Sequence, residues 1–160
     1  NWKKAKELPW DVLLIFGAGL AIAKGFSTTD LATWLAGNFM TLQFLGPVGI
    51  AFCVVAGINM LTEITSNTAT ASMVLPLLVT LGASMGIDPI PLMVGGVLSA
   101  SCAFMLPVAT PPNAIVFSSG AIKIQDMMRA GFLLNIGAII LVMIFIHFVW
   151  PIVYGMEIFK

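Results

Sequence analysis

Charge is what this sequence has least of. Only 9% of its 160 residues are Asp, Glu, Lys or Arg, and 59% are hydrophobic. A soluble domain carries about 25% charged residues, which keep its surface wet. A soluble globular chain is therefore excluded. The seven basic and seven acidic residues cancel, and a net charge of zero argues against nucleic-acid binding. Cysteine is nearly absent. Cys53 and Cys102 lie inside apolar stretches and read as small buried hydrophobes, without the partners a disulfide or metal site needs. No pair of His, Cys, Asp or Glu stands at a metal-ligand spacing, and no nucleophile–base pair marks an enzyme. A signal-peptide pattern is missing before the first apolar run. A membrane chain opening at Asn1 in this way is expected to be a fragment, with its missing part N-terminal to Asn1.

The few charges are grouped. They sit at the start, around Lys24 to Asp30, at Glu63, at Asp88, from Lys123 to Arg129, and at the end. Between them run uncharged stretches of roughly 20 to 30 residues, the length scale of a bilayer crossing. The expected fold class is an all-α integral membrane protein embedded in the lipid bilayer. Residues 1–46 give a first transmembrane helix, about Trp10 to Lys24, and a helix lying in the interface. In the latter, Leu31, Trp34, Leu35 and Phe39 follow a helical spacing. Residues 123–160 give a final transmembrane helix, about Ala130 to Tyr154, whose single ionisable group is His147. That histidine reads as packed or interfacial.

Two segments between these are interrupted. Within 47–87, two apolar runs of near 15 residues are too short to cross comfortably at about 1.5 Å per residue. They flank Thr62-Glu63-Ile64-Thr65-Ser66-Asn67-Thr68. Such a cluster is expensive in lipid and tolerable where the backbone turns inside protein, which makes a re-entrant helical hairpin. Ser66, Asn67 or Thr68 would cap its second helix. A single kinked crossing is the alternative. Within 88–122, Pro107-Val108-Ala109-Thr110-Pro111-Pro112-Asn113 breaks a transmembrane helix, because proline removes N–H donors. Charge placement favours the hairpin. With Lys3, Lys4 and Lys6 inside, a hairpin returns Lys123 and Arg129 to the inside, and a crossing would not.

Two interruptions are the expected layout of a transporter site, with positive helix N-termini turned toward an anion. Ser66, Asn67, Thr68 and Thr110 are neutral donors that can hold a carboxylate without trapping it. Unwound carbonyls and Asn or Thr oxygens suit sodium, and the Asn67 amide can serve both ligands. The competing reading is that Ser, Thr and Asn merely bond across helices. Glu63 either tunes the cation site or is only hydrogen-bonded at the hairpin's end.

The run Thr62 to Thr70 resembles the second Ser-Asn-Thr signature of the divalent anion:sodium symporter family. The run Phe104-Met105-Leu106-Pro107-Val108-Ala109-Thr110-Pro111-Pro112-Asn113-Ala114-Ile115-Val116-Phe117 is similar to that family's other long signature. The resemblance extends over nearly the whole chain, from Pro9-Trp10-Asp11 onward. It implies the second of two inverted repeats in a symporter that couples sodium to uptake of succinate-like di- or tricarboxylates. It also implies substrate contacts from Ser66, Asn67, Thr68, Thr110 and Pro111. A sodium site would use Thr62, Thr65, Asn67 and Ala109, mainly through backbone oxygens. Further implications are an N-terminal repeat carrying the other half of the site and a homodimeric scaffold joined to it by the interfacial helix. Transport would follow an elevator-like motion, in the plasma (cell inner) membrane. A sodium-independent dicarboxylate exchanger and a non-transporting membrane scaffold are the rival readings.

Overall fold

The computed structural model describes residues 43–155 continuously. Before them it describes Trp2, Lys6, Trp10, Leu14, Gly17, Ala18, Ala21, Lys24, Gly25, Thr28, Thr29 and Trp34. The expected first transmembrane helix and the interfacial helix near 31–40 lie wholly or largely outside these residues, as do residues 156–160.

The described chain is helical, with the order Gln43–Leu45 (a 3-10 turn), α1 (Gly46–Thr62), α2 (Asn67–Met85), α3 (Pro89–Ala100), α4 (Pro111–Ser118) and α5 (Ile124–Ile144). A π-turn at Phe145–Val149 then leads into α6 (Trp150–Tyr154). Turn chemistry sets the boundaries. Gly46 takes φ +66, and Pro47 follows in the first turn of α1, where a missing N–H costs nothing. Gly86 closes α2 in the left-handed region at φ +67. Asp88 caps α3 by accepting the Ile90 N–H at 3.0 Å. Pro151 explains the π-turn. Its ring offers no N–H and crowds the carbonyl four residues back, so the Trp150 N–H bonds to the Phe145 carbonyl instead.

Two apolar clusters hold α1, α2, α3, α5 and the turn after α5 together. Ile50, Val54 and Ile58 of α1 pack with Val74, Leu78 and Leu81 of α2 and Ala100 of α3. Ala51 and Val55, one position round on α1, pack with Leu92 of α3 and with Ile139, Val142, Ile146 and Trp150. The first and third helices thus serve both clusters. Glycine lets α3 sit between them: a Cβ on Gly95 would lie 3.3 Å from both Val55 and Ile146, and one on Gly96 would lie 2.6 Å from Leu78. Ser99 adds a hydrogen bond across helices, donating to the Val55 carbonyl at 2.6 Å.

The final span is longer than the sequence implied. Ile124–Tyr154 is a continuous 31-residue helical stretch with mean hydropathy 2.6, long and apolar enough to cross a membrane. It begins before Asp126 and Arg129, which the charge pattern had placed in a loop; both ride on its first turns. Only 22% of its apolar window is buried, so most of it faces outward. The shorter apolar helices Gly46–Thr62 and Pro89–Ala100 fall below that length.

Two further expectations need correcting. Cys53 is exposed and Cys102 is half-buried, both as free thiols, so neither is a buried hydrophobe. The face of α1 that carries Cys53 also exposes Phe52. On a helix apolar all round, composition does not say which face is covered. The break after α3 also starts early. The helix ends at Ala100, and 101–110 runs without helix, well ahead of Pro107. Tertiary partners stop it, as described next.

Candidate functional site

The two helix breaks meet at one cavity of about 760 Å3. Ser66, Asn67 and Thr68 line it from the start of α2, with Ser101, Ala103, Phe104, Ala109, Thr110 and Pro111 on the other wall. Among the described residues, no lining side chain carries a charge.

The first break runs from Glu63 to Ser66. Ser66 is the N-cap of α2 in extended conformation (φ −69, ψ 136), without a side-chain capping bond. Its carbonyl takes the Thr70 N–H at 2.8 Å. A helix leaves its first-turn N–H groups without intrahelical acceptors. Here that positive end borders the cavity. The second break behaves differently. Pro111 and Pro112 open α4 and contribute no N–H, the Asn113 N–H is taken by Thr110 Oγ1 at 3.3 Å, and the Ala114 N–H by the Thr110 carbonyl. Of the two broken helices, α2 alone therefore brings uncapped first-turn N–H groups to the cavity edge. At α4 the donor left is the Thr110 hydroxyl proton, because Thr110 Oγ1 accepts in its capping bond and does not donate there.

Thr62 is fully buried, with its hydroxyl 2.7 Å from the Ala100 carbonyl oxygen and 2.7 Å from Asn67 Oδ1. One hydroxyl proton serves one of these acceptors at a time. A half-turn of the Asn67 amide removes the conflict: Nδ2 donates to Thr62, Thr62 donates to Ala100, and the amide oxygen is released. Thr65 stands apart from the cavity lining. Its hydroxyl donates to the Leu61 carbonyl at 2.8 Å and accepts from Thr70 Oγ1 at 2.5 Å. Ala109 is buried and on the cavity wall. Of the residues singled out from sequence, Ser66, Asn67, Thr68, Ala109, Thr110 and Pro111 come together, Thr62 reaches them through Asn67, and Thr65 does not line the space.

Three residues that sequence reasoning undervalued build the second wall. Glu63 is 3% exposed. Its Oε1 accepts from the Phe104 N–H at 2.8 Å, the Met105 N–H at 3.0 Å and Asn135 Nδ2 at 2.6 Å; its Oε2 accepts from the Met105 and Leu106 N–H groups at 3.0 Å. From the other side, Asn113 Nδ2 donates to the carbonyls of Ala103 and Leu106, each at 3.0 Å. Asn59 Nδ2 donates to the Cys102 carbonyl at 2.7 Å. The end of α3 and the non-helical stretch after it thus have side-chain partners for the carbonyls of 100, 102, 103 and 106 and the N–H groups of 104–106. A buried backbone needs such partners in place of helix bonds. They explain why α3 stops before any proline. A carboxylate at the end of an apolar run and Asn after Pro-Pro were the available signals.

The arrangement suits a small anion and a hard cation. Hydroxyls, an amide and a helix N-terminus offer donors without fixed positive charge, and neutral oxygens lie beside them. Two carboxylates of one substrate would meet no lysine or arginine on the described walls.

Residues 1–156 match the family described as the sodium:sulfate symporter transmembrane region. The sodium-dependent dicarboxylate transporter SdcS of Staphylococcus aureus strains USA300, NCTC 8325 and COL is 47% identical over 158 residues. The match covers 99% of this chain and 30% of each relative, so the chain spans about a third of their length.

Proposed function

Because this chain belongs to the sodium:sulfate symporter transmembrane-region family, we propose that it forms part of a secondary transporter carrying succinate-like di- or tricarboxylates with sodium. The carrying observation is the uncharged cavity joining the two helix breaks. A dianion held by neutral donors needs counter-charge, and sodium on neighbouring oxygens supplies it. In this reading Ser66, Asn67, Thr68, Thr110 and Pro111 contact the carboxylates. Thr62, Thr65, Asn67 and Ala109 hold sodium mainly through backbone oxygens, the Thr62 and Thr65 hydroxyls being committed within the fold, and the Asn67 side-chain oxygen is released to the ion by the half-turn of its amide.

Residues 47–87 form a re-entrant hairpin and 88–122 a broken transmembrane helix. Together with residues 1–46 and 123–160 they make up a second inverted repeat. A first, N-terminal repeat completes the site, and a homodimer supports an elevator-like movement in the cell inner membrane. The relative SdcS, named as a sodium-dependent dicarboxylate transporter, supports the substrate and the ion.

The test is uptake of labelled succinate into liposomes holding the complete protein that carries this sequence, with and without an inward sodium gradient. The expected result is accumulation with the gradient and near-background uptake without it. Equal exchange in both conditions would replace symport with sodium-independent exchange. Absence of uptake in both would leave a scaffold.

A further inference from the structure

We infer that Asn135, in the middle of α5, is a positioning residue of the transport site and acts through Glu63. The inference rests on the transport reading above, since it assigns Asn135 a role in that site. Asn135 is fully buried, and its Oδ1 has no hydrogen-bond partner. A buried oxygen without a donor is unfavourable. The amide is also locked in orientation, because turning it over would set its oxygen against Glu63 Oε1. What the side chain supplies is therefore a single aimed donor, 2.6 Å from Glu63.

Glu63 in turn gathers three successive backbone N–H groups, those of Phe104, Met105 and Leu106. The α5 helix touches the same backbone directly. At Gly131, one turn before Asn135 and on the same face, an added Cβ would overlap the Phe104 carbonyl and lie 2.6 Å from Met105 Cα. The long helix thus seats the carboxylate with Asn135 and the unwound segment with Gly131. That segment runs on to Ala109 and Thr110 on one cavity wall, and Glu63 adjoins Thr62, which bonds toward Asn67 on the other. One carboxylate aimed by Asn135 sets the separation of the two walls.

An exchange of roles tests this. Glu63→Gln puts an amide nitrogen against backbone N–H groups. Asn135→Asp puts a carboxylate against a carboxylate. The double variant restores part of the complementarity, because the new amide at 63 can donate to the new carboxylate at 135 while its oxygen keeps the Met105 and Leu106 donors, and only the Phe104 N–H loses its acceptor. In the complete protein, each single change should raise the succinate concentration for half-maximal uptake roughly tenfold. Turnover per folded transporter should stay within about twofold, as expected when binding rather than a later step is lost. Amide hydrogen exchange across Phe104–Leu106 should quicken by a similar factor. The double variant should recover at least about half of each loss on a logarithmic scale.

A double variant no better than the worse single, in exchange, half-saturation or membrane abundance, overturns the inference. So do singles indistinguishable from wild type, or singles that speed exchange without moving half-saturation. If the exchange pattern appears as expected while the wild type takes up no dicarboxylate, the transport reading fails and the Asn135–Glu63 bond stands.

Discussion

At the scale of single residues, Thr110 and Asn67 are each committed to the fold in one direction and free in another. Thr110 accepts from Asn113 N–H and keeps its proton for a ligand. Thr110→Ala removes both functions. Loss of the cap costs about 1 kcal/mol of stability. Loss of a bond to a charged group costs about 1.5–3 kcal/mol, so apparent substrate affinity should fall on the order of 10- to 100-fold. Thr110→Ser keeps the oxygen and the proton and should transport nearly as wild type. Uptake kinetics unchanged in the alanine variant would remove Thr110 from the site. Asn67 offers a sharper contrast. Asn67→Asp keeps the oxygens, loses the donor and adds negative charge in a poorly screened site. It should retain or strengthen sodium binding and lose the dicarboxylate, whereas Asn67→Ala should weaken both. Sodium and succinate titrations of the two purified variants separate these outcomes, and an Asp variant that still binds succinate with native affinity would contradict the assignment.

At the scale of elements, close contact between α2 and α3 depends on Gly82. A Cβ there would meet Pro89 Cα at 2.8 Å, backbone that has little room to give. Gly82→Ala should cost about 1–3 kcal/mol and lower the unfolding temperature in detergent, leaving succinate half-saturation of the folded fraction unchanged; an unchanged melt would show that the turn at Gly86–Asp88 adapts. The membrane path of α1 and α2 is open to labelling. Cysteines introduced near Gly46 and Asp88 should react with an impermeant reagent from the same side, and reaction from opposite sides would make this segment a crossing. Much of this layout was legible beforehand. The break at Thr62–Thr68 and the helix start near Pro111 follow from local chemistry, polar caps and proline. The early end of α3 was not, because Glu63 and Asn135 stand 72 residues apart and their pairing leaves no local pattern. The exposed side of Cys53 was hidden for a related reason. In helices apolar on every face, periodicity carries little information about what is covered.

At the scale of the molecule, the central claim is that sodium and dicarboxylate share the cavity between the two breaks and stabilise one another there. The described lining offers no fixed positive charge, and sodium is the counter-charge proposed for it. Linkage then requires that each ligand tighten the other by the same factor, typically about 1–3 kcal/mol of coupling. The direct measurement is equilibrium titration of succinate into the complete protein at several sodium concentrations, by calorimetry or intrinsic fluorescence. The dissociation constant should fall on the order of 5- to 150-fold as sodium rises to saturation, and this dependence should be lost in Asn67→Ala. A dissociation constant independent of sodium in the wild type would contradict the central claim.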